Sequence, residues 1–258
     1  MSVPSRYLRA AGAHAEIDMD AYNDGAFILS IGGAQQSHVD LADPHNVFYE
    51  YLRRIANVLD VFKPAGEPIR VLHLGAGALT LARYVQATRP GSRQVAVERE
   101  RELLAFVVEH LPLPPGTDCE LLVEDASDTL AACTEGAFDA VVLDVFSGAD
   151  GATELATPEV YRLLTRAAAP GGVVLVNVGD DPPLTFAREQ ARLLLETGYD
   201  VAALGETAMF TGQHAGNIVL AASTWWNPAW TAPLAAAGPH PAALLTGADY
   251  TDFAGRKR

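Results

Sequence analysis

Four stretches of this chain put bare backbone or a carboxylate directly after a β-prone apolar run. Gly75-Ala76-Gly77 follows Val71-Leu72-His73-Leu74, and Glu98 follows Val95-Ala96-Val97. Asp125 closes Leu121-Leu122-Val123-Glu124, and Asp144 follows Val141-Val142-Leu143. In open α/β sheets, ligands bind outside the carboxyl ends of the strands. A Gly-x-Gly turn lets the backbone approach a ligand, and an acidic residue roughly 20 positions later can take both hydroxyls of a ribose. Glu98 has that spacing. A carboxylate at the start of a helix, as at Asp125-Ala126, can hold an adenine edge. Asp144 faces the same crevice, nearer the reacting end. Singly, each has a plainer reading: a tight turn, a solvated loop residue, or a helix N-cap at Asp125. Together, on four consecutive strand ends, they point to a nucleoside site. The loop lacks the third glycine of G-x-G-x-x-G, since Thr80 stands there. That favours S-adenosylmethionine or a relative over a dinucleotide, because a sulfonium compound needs no phosphate cradle.

The elements that must carry these residues follow from hydrophobic periodicity. Strands are predicted over 69–74, 94–97, 119–124, 138–144, 173–178, 201–204 and 216–222. Helices are predicted over 79–88, 101–110, 127–133, 158–168 and 184–197. Such alternation gives an α/β fold, a Rossmann-like, doubly wound and mostly parallel sheet. The last two strands form an antiparallel edge pair. Upstream, 26–31 and 34–39 read as a hairpin about Gly32-Gly33. A helix starts at Asp43-Pro44 and carries the apolar stripe Val47, Tyr51, Ile55, Val58 and Leu59. The reading divides the chain into a hairpin-and-helix unit over 1–65 and a Rossmann-like nucleoside-binding catalytic domain over 66–258, with an irregular tail after Ser223.

Composition narrows the function classes. Among 258 residues the formal net charge is −14, which disfavours nucleic acid as a partner and favours cations such as amines. Two cysteines, Cys119 and Cys133, are too few for a disulfide framework and fit no zinc spacing. No cluster of His, Cys, Asp and Glu has metal-ligand spacing, so no metal is expected. The start of the sequence has no apolar signal-peptide region, and no run approaches a membrane span, so a cytoplasmic protein without membrane contact is expected. His73, inside a strand, reads as a hydrogen-bonded core histidine.

The segments LSIGGAQQSHVD, NVFYEYLRRIANVLD, VLHLGAGAL, VAVERE, LLVEDA, VVLDVFSGA and GNIVLAAS resemble the spermidine synthase family of polyamine aminopropyltransferases, in a divergent actinobacterial branch. The likeness covers roughly residues 25–223. It implies polyamine biosynthesis: an aminopropyl group moves from decarboxylated S-adenosylmethionine to an amine acceptor, releasing methylthioadenosine. It implies a homodimer, for which Phe27, Ile28 and Leu29 are candidate contacts. By resemblance, Gln36 contacts the donor, Tyr49 and Glu50 line the amine channel, Gly75 and Gly77 form the cofactor loop, and Glu98 binds ribose. Asp125 and Ala126 form the adenine site, and Asp144 positions and deprotonates the attacking amine, with Tyr49 as a second catalytic candidate. Two departures stand out. Ala78 replaces the loop aspartate that binds the donor's ammonium, and Ser147 replaces a second strand-end aspartate. A methyltransferase using intact S-adenosylmethionine, and a non-catalytic nucleoside-binding protein, therefore remain open.

Overall fold

The structure is a computed structural model that describes residues 3–145 and 154–255. Among these residues two sheets form. The first is a four-stranded antiparallel sheet of β1 (Ser5–Leu8), β2 (Ala13–Met19), β3 (Ala26–Ile31) and β4 (Ala34–Asp40), in that order. The hairpin read from the sequence is its second half. The first half extends it through Ala15 and Ile17, which alternate inward between exposed Glu16 and Asp18. Strand β3 pairs with β2 and β4 along both edges, with Leu29 buried and Phe27 and Ile28 half-exposed.

Helix α1 (Glu50–Val61) begins later than expected. The carboxylate of Asp40 accepts from the backbone N–H groups of Ala42 and Asp43 and from Asn46 Nδ2. Those bonds fold 40–46 into a turn, so Asp43-Pro44 opens the turn and not the helix. The stripe of α1 packs on the large sheet beside Val71, Val142 and Leu175. The helix grouped with the hairpin in the sequence therefore lies on the large sheet.

That sheet comprises β5 (Arg70–Leu74), β6 (Arg93–Val97), β7 (Asp118–Leu122), β8 (Phe138–Leu143), β9 (Ala168–Asp180), β10 (Asp200–Glu206), β11 (Gly216–Ser223) and β12 (Ala242–Thr246). Its order is β12-β10-β11-β9-β8-β5-β6-β7. The five strands β5 to β9 pair in parallel, and the pairings β9–β11, β11–β10 and β10–β12 are antiparallel. Helices α2 (Thr80–Thr88), α3 (Arg101–His110), α4 (Ala126–Ala132), α5 (Pro158–Ala167) and α6 (Thr185–Glu196) connect them. Both faces are covered, as buried parallel strands require. The fold is Rossmann-like α/β.

Past Ser223 the chain is not irregular. It forms α8 (Thr231–Ala237), after the short α7 (Thr207–Phe210) earlier in the chain, then β12 and α9 (Gly247–Phe253). Strand β12, Ala-Ala-Leu-Leu-Thr, has little intrinsic strand preference. Pairing with β10 holds it, and this makes β12 the sheet edge. Trp226 and Trp230 are buried against each other at 5.2 Å.

Gly75 is the steric hinge of the sheet's carboxyl edge. Its φ is +92°, and a Cβ there would lie 2.1 Å from the carbonyl oxygen of Asp144. Replacement by alanine must spread β5 from β8. Gly75→Ala is expected to lower stability by about 2–4 kcal/mol, measured by urea unfolding, with loss of any ligand binding at this edge.

Candidate active site

The register of the parallel strands builds the site. Leu122, Val97, Leu74, Leu143 and Val176 lie side by side across β7, β6, β5, β8 and β9. One residue further along each strand stand Val123, Glu98, Gly75, Asp144 and Asn177. Three of the four residues singled out by sequence, Gly75, Glu98 and Asp144, thus come from one row, and Asp125 follows two positions past Val123. They open on a cavity of about 400 Å³ that Gln36, Ser37, Gly77 and Ala126 also line.

The glycine loop is internally bonded. The backbone N–H of Ala76 donates to Glu98 Oε2 at 3.4 Å, that of Ala78 to Ser37 Oγ at 3.2 Å, and that of Leu79 to the carbonyl of Ala76 at 2.8 Å. Leu79, the residue before α2, holds φ +60°, an uncommon conformation for a side chain of this type. Thr80 donates to the carbonyl of His38 at 3.1 Å. Strand β4 therefore clamps the loop and brings Gln36 to the cavity wall. Ala78 is 1% exposed.

Glu98 also accepts from the backbone N–H of Glu100 at 3.0 Å. Asp125 is the N-cap of α4, accepting from Ser127 N at 2.8 Å and Ser127 Oγ at 2.5 Å. These bonds, the Ser127 hydroxyl first, hold its carboxyl below the usual range. Capping and cavity lining coexist here.

Asp144 lines the cavity with a strongly perturbed carboxyl. Burial pushes its carboxyl up to about 6, against hydrogen bonds from Asn177 and Tyr51 that pull it down. Asn177 Nδ2 donates at 2.8 Å, while its Oδ1 is buried with no protein partner. Burial raises the Tyr51 phenol, so Tyr51 stays protonated. Neither Tyr51 nor Asn177 was singled out for chemistry by sequence. Tyr51 was absorbed into the apolar stripe of α1, and Asn177 was the lone polar residue inside Val-Leu-Val-Asn-Val. Tyr49 and Glu50 do not line the cavity: Tyr49 donates to Gln35 at 3.4 Å, and Glu50, 61% exposed, pairs with Arg54 at 3.1 Å. Ser147 lies outside the described residues.

His73 is hydrogen-bonded to Gln94 at 2.9 Å and burial pushes it down to about 4, so it is neutral. His214 pairs with Glu206 at 3.1 Å and lies off the cavity wall. Among the described residues no group of His, Cys, Asp and Glu is arranged to hold a metal ion, and no helix is long and apolar enough to cross a membrane.

The raised carboxyl of Asp144 links stability to pH. Its pKa is about 6 folded against 3.8 as an ordinary aspartate. The neutral acid is the form the fold favours, so its contribution is full below pH 4 and is lost as pH rises through 6. Asp144→Asn is expected to be more stable than the wild type at pH 8 by up to about 3 kcal/mol, and to lose that advantage near pH 4. Thermal melts across that range measure it.

No protein-family profile matches the chain. A polyamine aminopropyltransferase of Chromobacterium violaceum is 28% identical over 142 residues, 55% of this chain and 53% of that protein. Polyamine aminopropyltransferase 2 of Pseudomonas aeruginosa is 30% identical over 165 residues, 61% and 44% respectively. The matched stretches span about half the length of these curated relatives. Among solved structures, a probable spermidine synthase from Corynebacterium glutamicum is 28% identical, superposes with a TM-score of 0.88, and is covered to 95% by 99% of this chain. Spermidine synthase of Thermotoga maritima, at 14% identity and TM-score 0.61 over 88% of this chain and 73% of that one, shares the fold. In sequence the chain is similar to polyamine aminopropyltransferases, and over nearly its whole length it superposes on a probable spermidine synthase.

Proposed function

We propose that the protein is an aminopropyltransferase, moving an aminopropyl group from decarboxylated S-adenosylmethionine to a small amine and releasing methylthioadenosine. The observation that carries this is Asp144: a carboxylate with a pKa of about 6, on a cavity wall, held by two neutral donors.

The cavity suits a sulfonium nucleoside. A pyrophosphate needs free backbone N–H groups at the loop and helix start. Here Ala76, Ala78 and Leu79 already donate within the protein. Glu98, Glu100, Glu124, Asp125, Asp144 and Glu154 face the cavity against the single guanidinium of Arg99 among the described lining residues. Such walls favour cations and repel phosphates. Glu98 would take the ribose hydroxyls, Asp125 and Ala126 the adenine edge, and Gln36 the donor's tail.

In the reaction the acceptor nitrogen attacks the methylene beside the sulfonium. The N–C bond forms as the C–S bond breaks, and its electron pair neutralises the sulfur. The acceptor arrives as an ammonium, and Asp144 accepts its proton. A pKa of about 6 leaves Asp144 ionised at pH 7–8 yet basic enough to assist. Tyr51 and Asn177 donate to Asp144 and fix its orientation. Tyr51, two positions past the Tyr49 that the resemblance puts in the amine channel, is the tyrosine that contacts the base. The free Asn177 Oδ1 adds an acceptor beside Asp144. Holding both reactants in one crevice supplies much of the remaining acceleration. We take the protein to be a homodimer of the cytoplasm, on family likeness.

Ala78 favours one competing reading. With no carboxylate on the loop, nothing there selects a donor lacking its carboxyl group, and intact S-adenosylmethionine would serve a methyltransferase. Both donors are therefore assayed with putrescine, following methylthioadenosine and S-adenosylhomocysteine. Methylthioadenosine release from the decarboxylated donor is expected, with kcat/KM falling below about pH 6 as Asp144 takes up its proton. Release of S-adenosylhomocysteine alone would overturn the proposal. Asp144→Asn is expected to cost about 10²–10⁴-fold in kcat while donor affinity holds, and Tyr51→Phe to cost less. Full activity in Asp144→Asn would remove it from the mechanism. Asp125→Ala is expected to raise the Kd for methylthioadenosine by about tenfold, the size of one charged hydrogen bond, read by calorimetry.

A further inference from the structure

Glu100 has no part in the chemistry above, yet it is a buried carboxylate on the cavity wall. Its Oε2 accepts from two backbone N–H groups, those of Ala10 at 3.0 Å and Ala11 at 3.2 Å. These belong to the turn between β1 and β2, about ninety positions earlier in the chain. Leu8, Ala10 and Ala11 line the same cavity. Leu8 is fully buried, in the apolar cluster that holds Leu29, Ala78, Leu103 and Phe106. Outside the cavity, Arg6 pairs with Glu109 at 2.9 Å and lies over Phe106 at 5.6 Å, and Arg9 pairs with Glu102 at 3.4 Å. Exposed pairs of this kind contribute little. The charge-assisted pair of bonds at Glu100 is the strong fastening.

We propose that the β1–β2 turn is a wall of the nucleoside site and that Glu100 is the positioning residue that clasps it there. The inference rests on the nucleoside reading of the cavity. Glu100 N donates to Glu98 Oε1 at 3.0 Å, so the clasp and the ribose carboxylate share one turn of backbone. Nucleoside bound against Glu98 is enclosed by Leu8, Ala10 and Ala11, and leaves when the turn lifts. Glu100 therefore governs how long the nucleoside stays.

Methylthioadenosine is the probe. In Glu100→Ala its Kd is expected to rise about tenfold, through faster dissociation, the size of one charged hydrogen bond. Glu100→Gln, which keeps an oxygen for the two N–H groups, is expected to stay within about threefold of the wild type. Trypsin adds a ligand-free readout at Arg9, whose side chain is 84% exposed in this turn. Cleavage there is expected to be faster in Glu100→Ala than in wild type. In the wild type, amide exchange at Ala10 and Ala11 is expected to slow when methylthioadenosine binds, a measurement that needs no variant to fold. Unchanged exchange at those amides in a wild type that binds the nucleoside would overturn the clasp, as would equal dissociation rates in Glu100→Ala and wild type. No binding of methylthioadenosine by the wild type would overturn the nucleoside reading instead, and tryptic cleavage at Arg9 of the two ligand-free proteins would still judge the fastening.

Discussion

The carboxyl ends of β5 and β8 come so close that no side chain fits at Gly75. Asp144 N donates to Leu74 O at 2.8 Å, and Gly75 N to Val97 O at 3.0 Å. These bonds carry the parallel ladder one residue past the last paired row and stop it there. The chain must then turn away on both strands, and the two turns define the crevice. Glu98 and Asn177 are brought to the same level by register alone. A shift of one residue in any of these strands would send its functional side chain to the opposite face. The site is thus as precise as the sheet, and the sheet is as fixed as its buried Val, Leu and Ala side chains.

That scaffold holds Asp144 in an unfavourable place. A carboxylate withdrawn from bulk water resists ionisation, which is why its pKa rises to about 6. Asn177 and Tyr51 offset part of the penalty, and neither carries a charge that would hold the proton off altogether. A cationic neighbour in place of Asn177 would lower the pKa and weaken the base. The neutral pair keeps the group ionised near neutral pH while leaving it basic. Stability is lost at this position, as is usual for groups poised to bind and move protons.

Much of this was legible in the sequence because buried parallel strands read as continuous apolar runs, and the residue ending each run is the one that reaches the crevice. Gly75, Glu98, Asp125 and Asp144 stand out that way, and they line one cavity. Other residues were hidden for specific reasons. Tyr51 satisfies the periodicity of a core stripe, and only the third dimension shows its hydroxyl at Asp144. Asn177 was visible as a polar interruption of an apolar strand, a signal worth weighting. Glu100 works through backbone N–H groups about ninety residues away, which no side-chain pattern encodes. Strand β12 exists because β10 offers it an edge, and tertiary pairing overrides its alanine-rich composition. The helix start at Asp43-Pro44 was displaced because Asp40 captured the neighbouring N–H groups first.

The glycine loop shows why a shared motif can serve different ligands. Gly-x-Gly brings backbone to a ligand, but the identity of that ligand depends on which N–H groups stay free. Here Ser37 and Glu98 occupy two of them, and the loop's own carbonyl a third. An anion would have to displace these partners and then face the carboxylates across the cavity. A nucleoside with a cationic sulfur asks for neither: its ribose hydroxyls can replace the weak 3.4 Å contact from Ala76 to Glu98, and its charge is favoured by the walls. What the loop does not supply is a charge at Ala78. Its side chain is enclosed with Leu8 and Leu29, so on the proposed reading a donor's tail would be recognised from β4 and from the far wall, and not from the glycine loop.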